Sequence, residues 1–339
     1  MSVVLDYTGG VFAAKPTGGS VGADPSTIGD ASFGDVSLLL HMDGSNGSTT
    51  ITDSSSNSVS VTAYGNAQLS TTEKKFGTAS AYFDGNSDEL RFTAPALNGD
   101  FTAEAFIYPE SQVQNYPICF GPILDNNTVN NKILLSYDHL EYPNKFSLRV
   151  GNNFVQTSST IAVGQFYHVA VVRSGSSVSL FVDGVLAGSQ TYSGTSQSRT
   201  EYIGGNFVQN TNGGFKGYID EFRLTNGVAR YTSNFTPPTA AFSNTGPTLD
   251  LSSGNTFVHA PSANVTYEFA NPPASGTAID FTLKVTPSST VTITWPSSVK
   301  WAGGTAPSAP ASGETDAFTF YSTDNGSTYY GFHAGDAYS

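Results

Sequence analysis

The stretch from Phe166 to Gly188 limits what this chain can fold into, because it predicts three consecutive antiparallel strands. Residues 167–173 are rich in β-branched and aromatic side chains, and Val or Leu occupies every second position of residues 178–182. Between strands, Asp183-Gly184 favours a type I′ turn, which needs positive φ at both central residues. Such a meander has an apolar face that a second sheet must cover, so the sequence predicts a β-sandwich.

The composition favours short strands and turns over helices. Only 12% of the 339 residues are charged, 35 are glycine, and no segment has a helical period. The net charge of −13 repels phosphates, which argues against nucleic acid and anionic membranes as partners. We expect no membrane insertion, since no apolar run approaches the roughly 20 residues that a membrane helix requires. A lone cysteine, Cys119, excludes an internal disulfide and is expected to be a small buried side chain.

The chain divides into three predicted regions. Residues 1–35 are rich in Gly, Pro, Ala and Ser and predict an extended N-terminal arm, which needs another surface to hold it. Residues 36–240 contain predicted strands at the spacing typical of a sandwich. Residues 235–239, Phe-Thr-Pro-Pro-Thr, predict an extended linker. Residues 241–339 predict a smaller C-terminal β-sandwich domain.

Six short motifs occur in order within the middle region: Leu38-Leu-Leu-His-Met-Asp-Gly, Tyr82-Phe-Asp-Gly, Phe101-Thr-Ala-Glu-Ala-Phe-Ile-Tyr-Pro, Tyr167-His-Val-Ala-Val-Val, Leu180-Phe-Val-Asp-Gly and Gly217-Tyr-Ile-Asp-Glu-Phe-Arg-Leu. Together they resemble a laminin-G-like domain with a concanavalin A-like jelly-roll fold. The family often has Trp where this sequence has Phe106 and Phe166, a difference that changes packing and not the fold. His168 is a structural residue in the family motif, and we expect the same here.

Two further segments resemble parts of bacteriophage virion proteins. Residues 227–238, Gly-Val-Ala-Arg-Tyr-Thr-Ser-Asn-Phe-Thr-Pro-Pro, look like the version of this domain in phage structural proteins. Residues 298–331 are similar to small β modules at the ends of phage tail fibres. The resemblance implies a virion surface protein that binds host-cell glycans. Because residues 1–5 lack the basic start and apolar stretch of a signal peptide, we expect the protein to be made in the host cytoplasm. The resemblance also implies a homo-oligomer attached to other virion proteins through residues 1–35.

Three carboxylates are candidate calcium ligands. The strand phase of residues 217–224 places Asp220 on an apolar face, where an ionised carboxylate needs partners. A calcium ion bound jointly by Asp220 and by oxygens at Asp43 and Asp53 would supply such a partner. The resemblance supports this, because domains of the family often hold a structural calcium. In the alternative, Asp220 accepts backbone N–H groups or an Arg, and the other two residues cap their own loops.

A glycan site requires aromatic rings for the sugar faces and polar groups for the hydroxyls. Candidates near predicted loops are Tyr116, His139, Tyr142, Asn206 and Phe207. These aromatic residues could instead pack beneath their own loops, and the sequence leaves that choice open.

Three functions fit the sequence. The first is a tail fibre or appendage protein that binds glycan, and the second is a purely structural capsid or tail decoration protein. The third is a polysaccharide hydrolase, for which Glu104 would be the candidate acid. Residues 101–109 lack the Glu-x-Asp-x-x-Glu motif of hydrolases with this fold, because Phe106 stands where an Asp is needed. We therefore predict that the chain is not an enzyme.

Overall fold

The computed structural model describes residues 29–111, 118–120, 133–139, 141–192, 194, 198–205, 214–261 and 264–338, and it confirms the all-β class. Two compact units are present, the larger of which spans Asp35–Phe242. Described residues on either side of it form the smaller unit. Short 3₁₀ turns occur at Phe33–Asp35 and Ala302–Gly304. Among the described residues, no helix has the length and apolarity to cross a membrane.

The larger unit consists of two antiparallel sheets. The eight-stranded sheet has the order β13-β12-β11-β6-β15-β4-β3, with β1 also paired to β15, and the seven-stranded sheet has the order β10-β9-β8-β7-β14-β5-β2. In chain order the strands are β1 Val36–Leu40, β2 Thr62–Tyr64, β3 Gln68–Ser70, β4 Ser80–Asp84, β5 Glu89–Ala94, β6 Phe101–Pro109, β7 Ile118–Phe120, β8 Ile133–His139, β9 Tyr142–Val150, β10 Asn153–Gln156, β11 Tyr167–Ser174, β12 Ser177–Val182, β13 Val185–Thr191, β14 Arg199–Ile203 and β15 Lys216–Asn226.

One hydrophobic core lies between the two sheets, as the predicted sandwich requires. The rings of Phe92 and Phe222, from opposite sheets, lie 6.1 Å apart, and those of Phe146 and Tyr167 lie 5.9 Å apart. Alternate residues of strands such as β6 and β11 fill this core because successive side chains of a strand point to opposite faces. The arrangement is the concanavalin A-like, jelly-roll type of sandwich that the motifs indicated.

The turn between β12 and β13 has the predicted geometry. Asp183 has φ of 46° and Gly184 has φ of 75°, as a type I′ turn demands. The Asp183 carboxylate also accepts a hydrogen bond of 2.9 Å from the backbone N–H of His168. Glycine is required at position 184, since a Cβ atom there would lie 1.9 Å from the carbonyl oxygen of Phe235.

That approach of Phe235 corrects the linker prediction for residues 235–239. The Phe235 ring lies 5.6 Å from the ring of His168 and 5.6 Å from that of Phe181, and it stacks on Tyr231 at 3.5 Å. Residues 227–242, which we call the covering segment, therefore lie on the outer face of the eight-stranded sheet. The physical reason is the apolar surface of Ala170, Val172 and Phe181 on that face, which aromatic rings of the segment bury.

Beneath the covering segment lies a buried ionic cluster centred on Glu104 of β6. The Glu104 carboxylate accepts hydrogen bonds from Arg223 Nη2 at 2.7 Å and Nε at 2.9 Å. Its second oxygen accepts from the Tyr231 hydroxyl at 2.9 Å and lies 3.0 Å from His168 Nε2. Burial would raise the pKa of Glu104, but the charge of Arg223 and the His168 contact outweigh it, and the net pKa is lowered. Glu104 is thus held ionised in the interior.

The smaller unit is built on a five-stranded sheet with the order β17-β20-β23-β24-β22. Two strand pairs, β16-β19 and β18-β21, complete it, and a second core rich in aromatic rings lies beneath the sheet. Its strands are β16 Thr248–Asp250, β17 Thr256–His259, β18 Val265–Thr266, β19 Glu268–Ala270, β20 Ile279–Val285, β21 Ile293–Thr294, β22 Val299–Trp301, β23 Thr315–Ser322 and β24 Tyr329–Tyr338.

We predict that Glu104→Gln destabilises the larger unit by about 3–5 kcal/mol, because the substitution leaves the buried Arg223 without a countercharge. Urea or guanidinium denaturation measures the change. Glu110→Gln is the matched control: its side chain is 39% exposed, its cation partner Lys216 is 3.8 Å away, and we expect a loss below about 1 kcal/mol. Equal losses for the two variants would contradict the role of the Glu104 cluster.

Candidate functional site

An aromatic cluster lies at one end of the β8–β10 region, on the outer face of the seven-stranded sheet. We call it the hairpin cluster and define it by His139, Tyr142, Arg149 and Phe154. The Phe154 ring lies 5.2 Å from the rings of both His139 and Tyr142, and the Arg149 guanidinium lies 5.7 Å from its centre. Phe154 faces away from the core because its neighbour Val155 belongs to the core.

A bulge in β8 turns His139 towards this cluster. The β8–β9 register shifts between Tyr137, a core residue, and His139, and the intervening Asp138 has φ of 59°. An extra residue in one strand re-aims the side chain that follows. Burial lowers the pKa of His139, and the nearby Glu141 only partly opposes this. The imidazole is therefore neutral at neutral pH, and its Nδ1 accepts a 3.2 Å hydrogen bond from the Glu141 N–H.

A second aromatic–arginine pair occupies the opposite edge of the same sheet. The Arg91 guanidinium lies 3.8 Å from the ring centre of Tyr64 and 5.5 Å from that of Tyr202. Arg91 also pairs with the Glu89 carboxylate on its own strand. Tyr64 is 42% exposed, so this part of the face also presents an aromatic ring to solvent.

The structure brings together two of the five predicted glycan-binding residues. His139 and Tyr142 are cross-strand partners whose rings stack at 6.1 Å. Tyr116, Asn206 and Phe207 lie outside the described residues. Sequence reasoning missed Phe154 and Arg149, although the turn residues Gly151-Asn-Asn followed by Phe-Val suggest a hairpin that would pair them. Binding by any of these residues stays a prediction.

Two of the proposed calcium ligands, Asp53 and Asp43, already accept hydrogen bonds from backbone N–H groups. Asp53 Oδ1 accepts hydrogen bonds from the backbone N–H groups of Leu39 at 3.0 Å and Ser55 at 2.8 Å, and its Oδ2 accepts the Ser55 hydroxyl at 2.8 Å. Asp43 Oδ1 accepts both the backbone N–H and the hydroxyl of Thr78. Both residues therefore act as loop acceptors.

Asp220 has the backbone partners of the alternative considered for it. Its Oδ2 accepts the N–H groups of Lys75 at 2.7 Å and Phe76 at 3.0 Å, while its buried Oδ1 has no hydrogen-bond partner. Burial raises the pKa of Asp220 to about 7, and the two N–H groups only partly oppose the shift. Within the described ranges, no three His, Cys, Asp or Glu side chains gather as metal ligands. The three carboxylates therefore do not gather into one site within the described ranges, and calcium binding stays a prediction.

Two other carboxyl groups have environments of interest for acid–base chemistry. Glu104, the residue that a hydrolase was expected to use, is fully buried in its ionic cluster and has no exposed surface. Glu201 on β14 faces the core, since it pairs with the core residue Phe92. Burial raises the pKa of Glu201 to about 9, and the charge of Arg199, whose Nε lies 3.6 Å away, only partly opposes the shift. Glu201 Oε2 has no hydrogen-bond partner.

Residues 84–232 match the family model described as the concanavalin A-like lectin/glucanases superfamily, with the name Laminin_G_3. The match covers the region between β4 and the covering segment, including the hairpin cluster. No curated protein matches the chain.

Several solved structures are similar in outline. Domain 4 of a GH43 extracellular arabinanase from Geobacillus stearothermophilus, in complex with arabinotriose, has 19% identity and a TM-score of 0.43, over 57% of this chain and 93% of that domain. Trypanosoma rangeli sialidase has 19% identity and a TM-score of 0.44, over 60% of this chain and 31% of its own. A structure that describes the cell entry of botulinum neurotoxin type C through interaction with two ganglioside molecules has 13% identity and a TM-score of 0.40. The similarity covers 60% of this chain and 49% of that one. The chain thus spans only a third to a half of the last two proteins.

The prediction that the chain is not an enzyme is wrong. The family matched by residues 84–232 is described as one of lectins and glucanases, so it includes enzymes as well as binding proteins. Enzymatic activity is therefore compatible with this fold, and the missing hydrolase motif in residues 101–109 does not exclude it.

We predict that Glu201→Gln makes unfolding less sensitive to alkaline pH. The folded Glu201 carboxyl keeps its proton up to about pH 9, whereas the unfolded one loses it near pH 4.3. The stabilisation from the protonated Glu201 carboxyl is complete below about pH 4.3. It is lost as pH rises towards 9, by up to about 1.4 kcal/mol per pH unit. The amide of the variant has no such titration.

Denaturation curves at pH 5, 7 and 9 measure the effect. The free energy of unfolding of the variant should rise relative to that of the wild type as the pH increases. The exposed Glu141→Gln serves as control, and a constant difference between wild type and Glu201→Gln would contradict the assignment.

Proposed function

We propose that the chain binds an uncharged glycan at the hairpin cluster. The observation that carries the proposal is the grouping of His139, Tyr142 and Phe154, with ring centres 5.2–6.1 Å apart, beside the Arg149 guanidinium. The match of this region to a family of lectins and glucanases supports it.

The chemistry of the cluster suits a sugar. Aromatic faces of Tyr142 and Phe154 offer apolar surface to the C–H face of a pyranose ring, as amphipathic aromatic side chains do in binding sites. Arg149 supplies N–H donors for hydroxyl groups, whereas His139 Nδ1 already accepts the Glu141 N–H. A net charge of −13 disfavours an anionic glycan, so the proposal is limited to uncharged ones.

We further propose that this binding attaches a virion to its host cell. The support is the likeness of residues 227–238 and 298–331 to phage virion proteins, together with the arm-like composition of residues 1–35. On this proposal, the arm contacts other virion proteins and the glycan belongs to the host surface. The copy number in purified particles distinguishes the alternatives: a small multiple of three or six at the tail supports attachment, and hundreds of copies on the capsid support a decoration protein.

We predict that Phe154→Ala weakens binding to an uncharged glycan by at least about tenfold, since it removes the ring that joins the cluster. A glycan array identifies the ligand, and calorimetry with that oligosaccharide measures the change. Tyr64→Ala is the matched control: its ring stacks on Arg91 as Phe154 does on Arg149, but six strand spacings away, about 29 Å. Its affinity should equal that of the wild type. An array without any bound glycan, or equal losses in the two variants, would refute the site.

A further inference from the structure

The outer face of the five-stranded sheet in the smaller unit exposes several large aromatic side chains. Tyr321 on β23 is 38% exposed, and Tyr330 and Phe332 on β24 are 53% and 54% exposed. Their strand neighbours Phe320 and Tyr329 point into the core, so the exposed rings share the opposite face. Contiguous exposed apolar surface of this kind marks an interaction site more often than scattered single residues do.

Strand register places two of these rings between opposite charges. Asp280 on β20 pairs with Tyr321, Tyr321 pairs with Tyr330, and Tyr330 pairs with Lys300 on β22. All four side chains are exposed. They form a straight row across four adjacent strands, with an acid at one end, two tyrosines in the middle and a base at the other end. We call it the Asp280–Lys300 row.

Such a row is complementary to itself when it is reversed. Consider two copies whose sheets face each other, related by a two-fold axis that runs parallel to the strands between them. This axis places the row of one copy opposite the same row of the second copy, in reverse order. Asp280 then meets Lys300 of the second copy at both ends, and Tyr321 meets Tyr330 in the middle. We propose that this face is the contact between two copies of the chain in an isologous dimer.

The adjacent row supports the same partner. Thr282 pairs with Thr319, and Thr319 pairs with Phe332, so this row brings an apolar ring and hydroxyl groups but no charge. The same axis places Thr319 of one copy opposite Phe332 of the other. No like charges meet in either row, although the chain as a whole carries a net charge of −13. An interface core of aromatic rings with paired charges at its rim is the arrangement found in specific protein contacts.

Charge reversal at the two ends of the row tests the proposal. Lys300→Asp makes both ends acidic and Asp280→Lys makes both ends basic, so each variant alone should dissociate at least about 100-fold more readily than the wild type. An equimolar mixture of the two variants should form a heterodimer, because every acid again faces a base. Sedimentation velocity of the full-length chain over a concentration series measures all four samples.

The control is Lys74→Asp, which makes the same charge change at an exposed site in the larger unit and should dimerise like the wild type. Tyr330→Ala should weaken the dimer of the otherwise unchanged chain, and thermal unfolding verifies that each variant is folded. Four results would each overturn the proposal: a wild type that stays monomeric, a wild-type trimer, a dimer that tolerates both single reversals, or single variants that dissociate without pairing when mixed.

Discussion

The buried carboxylate of Glu104 is the constraint on which the larger unit depends. A charge removed from water must be matched by cations and hydrogen-bond donors, and here they come from separated parts of the chain. Arg223 and His168 lie on the two strands that flank β6, whereas the Tyr231 hydroxyl comes from the covering segment. The last of these contacts holds the segment on the sheet, so the eight-stranded sheet is buried over that part of its outer face. The hairpin cluster lies on the other sheet, where the rings of Tyr142 and Phe154 are partly exposed.

Two β-bulges, in β8 and β15, direct side chains to positions that a regular strand would not give them. Asp138 and Glu221 both have positive φ and both sit at register shifts, in β8 and β15 respectively. Such backbone strain, on the order of 1–3 kcal/mol for each residue, persists only where the surroundings offset it. At Glu221 the offset includes a 3.0 Å hydrogen bond from the Phe242 N–H and contacts to His41 Nδ1. One bulge therefore fastens the end of the covering segment, and the other forms the hairpin cluster.

How far the sequence predicts this structure depends on whether local or distant contacts decide each feature. The fold class and the Asp183-Gly184 turn were predictable, because strand alternation and turn chemistry are local. The packing of Phe235 against the sheet was not, since Pro237 and Pro238 give the segment the appearance of a linker and the partners of Phe235 lie about 50 to 70 residues away. The bulge before His139 was also missed. Asp138 forms it by taking a positive φ, and the sequence of residues 133–139 carries no signal of this break in the strand.

Asp220 illustrates the same limit within the candidate sites. The sequence correctly required partners for a carboxylate on an apolar face, but it could not distinguish a cation from backbone N–H groups. The donors belong to Lys75 and Phe76, some 145 residues earlier, and only the pairing of β15 with β4 brings that loop above the strand. Backbone donors carry no residue signature, so no motif records them. A cluster built from side chains, such as the hairpin cluster, is more visible in sequence than an environment built from main-chain groups. That difference explains why His139 and Tyr142 were found together, whereas the environment of Asp220 was not.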